Sequence, residues 1–142
     1  MKRFVLIPLL LAASAAVATE PLPKVETATG DWRDLPRLES RGYSKLDSNA
    51  MQRIWEIAKE RKCRIPGYVT GKLDMRVNFA VQYDPAGKLS RVILPPLDCP
   101  EAEGIIAGAV IDMVRGGDFR RKGESPEGWY QGDLFFGFEA PA

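Results

Sequence analysis

Histidine is absent from all 142 residues. That removes the imidazole that serves Ser-His-Asp and Cys-His nucleophilic sites as a base and is the commonest ligand of zinc and iron. Only two cysteines occur, Cys63 and Cys99, with no Cys-x-x-Cys, so neither a redox motif nor a metal knuckle is formed. No glycine-rich turn opens a helix. Gly116-Gly117 stands where a helix ends, so the sequence carries no nucleotide signature. On these grounds no catalytic residue, metal ligand or cofactor is assigned, and the chain is not expected to be an enzyme. Asp and Glu are plentiful, which keeps a small carboxylate-dependent hydrolase as the catalytic alternative, although acidic residues on loops are ordinarily solvated surface.

Charge of one sign is also lacking, with 20 basic and 19 acidic residues giving a formal net charge of +1. A long hydrophobic run is missing too, since the stretch from Phe4 to Ala18 covers 15 residues, whereas a membrane-spanning helix needs about 20. That stretch follows the charged start Met1-Lys2-Arg3 and ends in Ser14-Ala15-Ala16-Val17-Ala18-Thr19, the three-part pattern of a secretory signal peptide cleaved after Ala18. A retained anchor is the alternative reading. Cleavage leaves 124 residues, one domain's worth of chain, and takes the net charge from +1 to −1. Interspersed charges near balance argue against nucleic acid or an anionic membrane surface as main partner, and no stable membrane insertion is expected after cleavage. An exported chain matures where disulfides persist, so Cys63 and Cys99 are expected to form a bridge enclosing 35 residues. Two buried free thiols are the other reading.

Residues 19–43 hold Pro21, Pro23, Gly30, Pro36 and Gly42 among charges without helical or alternating period, which predicts a flexible leader arm. Within it Trp32, Leu35 and Leu38 either fold back onto the domain of residues 44–142 or anchor a partner. From about Ser48 to Lys62, Met51, Ile54, Trp55 and Ala58 recur at helical spacing. Leu73, Met75, Val77, Phe79, Val81 and Tyr83 then alternate with polar or small residues, the mark of a strand with one dry and one wet face. Asp84-Pro85-Ala86-Gly87 turns the chain into a second strand, Leu89 to Leu94. Asp98-Cys99-Pro100-Glu101 predicts a helix start with Asp98 as the capping side chain, and Ala102, Ile105, Ile106, Ala109, Val110 and Met113 line one face of that helix. Gly104 and Gly108, near the edge of this face, are expected to allow tight packing of the helix on the sheet. A last strand carries Tyr130, Leu134, Phe136 and Phe138 on one side and Trp129, Gln131, Asp133 and Phe135 on the other, thinned by Gly132 and Gly137.

The order helix-strand-strand-helix-strand predicts an α+β fold in which two helices cover one face of a three-stranded antiparallel or mixed sheet. A right-handed crossover puts the first strand between the other two and the last strand on an edge, where open backbone groups suit capture of an extended peptide. The candidate partner-binding residues are Trp129, Tyr130, Gln131, Gly132, Asp133, Leu134, Phe135 and Phe136. Core packing is the competing role for Tyr130, Leu134 and Phe136.

The strand Leu73 to Val81, the turn Asp84-Pro85-Ala86-Gly87, the strand Leu89-Ser90-Arg91-Val92 and the Asp98-Cys99-Pro100 start of an alanine-rich helix resemble the C-terminal domains of the envelope energy transducers TonB and TolA, over roughly residues 48–139. The resemblance implies a periplasmic domain that adds a peptide of an envelope protein, such as an outer-membrane transporter, to its last strand. It also makes Cys99 similar to one half of the TolA-like disulfide. TonB and TolA are held by a transmembrane helix and a long stalk, whereas the leader here has about 30 residues and spans on the order of 100 Å at most. A free binding module is therefore expected rather than an energy transducer. A structural or inhibitory envelope protein, with self-association possible, is the alternative.

Overall fold

The computed structural model describes residues 20–41, 48–123 and 128–139. The signal segment 1–18 lies outside the described residues. The elements in chain order are β1 (Lys24–Thr27), β2 (Glu39–Ser40), α1 (Ser48–Lys59), β3 (Tyr68–Val69), β4 (Lys72–Tyr83), β5 (Leu89–Leu94), α2 (Pro100–Arg115), β6 (Phe119–Arg120) and β7 (Gly128–Glu139).

The architecture is α+β, with two helices and a mixed sheet. β4 is its axis. The alternation of its side chains buries Leu73, Met75, Val77, Phe79, Val81 and Tyr83 on one face, against Ile54 of α1 and Ile106 and Val110 of α2. β5 and β7 both run antiparallel to β4 on opposite sides of it, so they are parallel to each other and are joined by a crossover that includes α2. The hairpin between β4 and β5 closes through Asp84, whose carbonyl accepts from the Gly87 N–H and whose Oδ1 accepts from the Lys88 N–H, both at 2.8 Å. Gly87 supplies the positive φ of 78° that this turn needs.

Three features differ from the sequence expectation. The sheet has five strands, because β1 pairs in parallel with β5 and the short β3 pairs with the start of β4; a two-stranded ribbon of β2 and β6 is added. Within the stretch 19–43, expected to be a flexible arm, the described residues 20–41 thus contribute β1 and β2. Asp98 does not cap α2: it adopts φ 55°, Cys99 is the N-cap residue, and Glu103 reaches back so that its Oε1 accepts from the N–H groups of Leu97 and Cys99 at 3.3 Å. A first-turn carboxylate does the work that the sequence assigned to Asp98. Finally, Gly104 and Gly108 do not pack against the sheet, since a Cβ at either would meet open space.

Gly116-Gly117 ends α2 as expected. Gly117 has φ 84°, its N–H reaches the Val114 carbonyl at 3.3 Å, and the Asp118 N–H reaches Met113 at 2.9 Å, the paired bonds of a Schellman ending. Cys63 and Cys99 are bridged, with Cα atoms 5.5 Å apart, which ties the segment after α1 to the start of α2.

Candidate functional site

β7 pairs with β4 at all twelve of its positions, from Gly128 opposite Tyr83 to Glu139 opposite Lys72. The other margin of β7 is different. The Gln131 N–H donates to the Pro36 carbonyl at 2.9 Å and the Leu38 N–H donates to the Gln131 carbonyl at 2.8 Å, a parallel bridge from the leader. Backbone groups of an extended chain alternate sides, so if Gln131 points outward, Trp129, Asp133, Phe135 and Gly137 do too, while Tyr130, Gly132, Leu134 and Phe136 bond to β4. Among the described residues, Gln131 is the only outward position of β7 with a main-chain partner on that side.

The leader reaches this place by crossing the polar face of the sheet. It starts beside β5 at β1, where Lys24 and Arg91 both bond the Glu26 carboxylate. Those two cations, Lys24 foremost, hold Glu26 below the usual carboxylate range. Beyond β1, Asp31 is clasped by Arg33 through a 2.7 Å ion pair, and that hydrogen-bonded guanidinium lowers its carboxyl to about 2. The Gln131 Nε2 then donates to the Arg33 carbonyl at 3.4 Å. This crossing explains why Ala80, Ile93 and Gln131 are buried although they belong to the face that alternation marks as wet.

One polar network fixes the crossing. Asn78 Nδ2 lies 2.9 Å from Gln131 Oε1, 3.1 Å from the Gly132 carbonyl and 3.1 Å from Asp133 Oδ1. Asp133 in turn pairs with Arg37 at 2.8 Å. Gln131 is only 5% exposed, and a buried amide of this kind is stable only when its hydrogen bonds are made, as they are here. Past Arg37 the leader turns around the margin of β7, and Leu38 enters the core beneath.

The eight residues assigned to partner binding therefore separate by place. Tyr130, Gly132, Leu134 and Phe136 are buried on the helix side, and Gly132 lies so close to the Phe79 ring that a Cβ would come within 2.5 Å of it. Gln131 is held by the leader. Trp129 lies under the Arg91 guanidinium, 5.1 Å from its ring centroid. That leaves Asp133 and Phe135 on the polar face, with Phe135 55% exposed. The Phe135 ring leans over Gly137, 3.5 Å from where a Cβ would stand. Sequence reasoning did not single out Asn78 or Arg37, which are ordinary polar residues until the strands meet, nor Gly137 and Glu139, which extend the open margin past Phe136.

Comparisons with known proteins leave the chain on its own evidence: no family model, curated protein or solved structure matches it. None of these comparisons identifies a TonB- or TolA-like family. Among the described residues no helix is long and apolar enough to cross a membrane.

Proposed function

We propose that the protein is a non-catalytic binding domain of the periplasm, similar to the C-terminal domains of TonB and TolA, which captures an extended segment of an envelope protein by adding it as a strand beside β7. The observation that carries this reading is the unequal occupation of the two margins of β7. One is paired throughout, while the other is held by the leader at Gln131 and carries outward main-chain groups at Asp133, Phe135 and Gly137. Strand addition gains affinity from main-chain hydrogen bonds and selectivity from side chains beside them, and the exposed Phe135 ring is an apolar contact of that kind. The captured segment lies along Asp133–Glu139, a shorter and later stretch than Trp129–Phe136. Export is supported by the signal-like start and by the bridge between Cys63 and Cys99, which suits an oxidising compartment.

The test is selection of short peptides from a displayed library on the mature domain, followed by binding of the best peptide to Gly137→Pro. Pro at an outward position removes one donor without touching the β4 ladder, so the variant should fold and bind at least about tenfold more weakly. Equal affinity in a folded variant would refute strand addition at this margin.

A further inference from the structure

At the end of the sheet where the β4–β5 turn lies, four cations that are scattered in sequence line one cleft of about 610 Å³: Lys88, Arg115, Arg120 and Arg121, with Glu20 as the only carboxylate among the described lining residues. Near-neutral overall charge conceals this concentration. Among the described residues Lys88, Arg115 and Arg120 enter no ion pair.

The guanidinium groups of Arg115 and Arg120 instead meet uncharged acceptors. Arg115 donates to the Pro21 carbonyl at 2.9 Å, Arg120 to the Gly117 carbonyl at 3.2 Å, and Arg121 to the Gly87 carbonyl at 3.4 Å. The Arg121 guanidinium also lies over the Tyr83 ring, 4.1 Å from its centroid. A carbonyl restrains a guanidinium without cancelling its charge, so Arg115 and Arg120 lose part of their rotational freedom before any ligand arrives and keep their charge. Guanidinium forks match phosphate oxygens in geometry, and several of them around one concave site favour a compact group with more than one negative charge over a single carboxylate. The volume is that of a small-molecule site.

We propose that this cleft binds a phosphomonoester or diphosphate group, presented either by a soluble phosphorylated compound or by a phosphorylated lipid headgroup. The site is separate from the β7 margin and does not depend on its function. Tyr83, whose phenol burial pushes upward, lines the same cleft.

Calorimetric titration of the mature protein with inorganic pyrophosphate tests the proposal, alongside co-sedimentation with phosphatidylcholine vesicles with and without phosphatidic acid. Saturable pyrophosphate binding is expected, weakened at least about tenfold by Arg120→Gln and again by Lys88→Gln, the loss that goes with a charge-assisted contact, and unchanged by Arg64→Gln outside the cleft. Vesicle binding that needs phosphatidic acid and is competed by pyrophosphate assigns the group to a lipid. Pyrophosphate binding without vesicle binding assigns it to a soluble compound. Neither form of binding, or binding that folded Arg120→Gln and Lys88→Gln variants retain in full, would overturn the proposal.

Discussion

Leu38 donates its main-chain N–H to the Gln131 carbonyl at 2.8 Å while its side chain, 3% exposed, sits in the same core as Phe79 and Phe119. One leader residue thus closes part of the β7 margin and fills space under it. The leader is a structural part of the domain, and among the described residues it meets the main chain of β7 at Gln131 and not at Asp133, Phe135 or Gly137.

Leu38→Ala is expected to destabilise the protein by about 2–4 kcal/mol, the usual range when a buried leucine is cut back and its site closes only in part. Urea denaturation of the mature protein measures this. Faster hydrogen exchange at the Gln131 amide should accompany it, because the strap loses its anchor.

Gly132 and Gly137 of β7 should respond in opposite ways. Gly132→Ala drives a methyl toward the Phe79 ring, and overpacking of this kind costs about 1–3 kcal/mol. Gly132→Pro should not fold, as it also removes a donor to β4. Gly137 faces outward beside the Phe135 ring, so Gly137→Pro should retain the melting temperature to within a few degrees. Thermal melts of the three variants separate these outcomes.

Acid should release the clasp in the crossing segment. The Asp31 carboxyl is lowered to about 2 from an ordinary 3.8 by Arg33, so its contribution is fully present above the ordinary value and is lost as pH falls through about 2. A carboxyl-carbon NMR titration should place the Asp31 midpoint near 2. Arg33→Gln should return it toward 3.8.

Reduction of the Cys63–Cys99 bridge, which closes 35 intervening residues, should cost about 3–4 kcal/mol on the chain-entropy model. Denaturation with and without a reductant gives the figure directly. Cys63→Ala with Cys99→Ala should match the reduced protein.

Much of this fold could be read from residue pattern where burial is one-sided. β4 alternates because one face meets two helices and the other does not, and α2 shows its apolar stripe for the same reason. β1 could not be read this way. Lys24–Thr27 is a margin strand with little to bury, so it leaves no alternation, and its place is set by main-chain pairing with β5 and by Glu26 meeting Lys24 and Arg91. Gln131 looked like a wet-face residue because the chain that covers it lies about 95 positions earlier in sequence. The basic cleft was hidden likewise, since Lys88, Arg115 and Arg120 come together only after α2 has folded back along the sheet.

Amide hydrogen exchange of the mature domain, alone and with a selected peptide bound, bears most directly on peptide capture at β7. In the free protein the amides of Asp133, Phe135 and Gly137 should exchange quickly while those of Gly132, Leu134 and Phe136 are protected. Bound peptide should slow the first three. Slow exchange at all six positions in the free protein, or protection by peptide confined to some other part of the surface, would contradict capture along Asp133–Glu139.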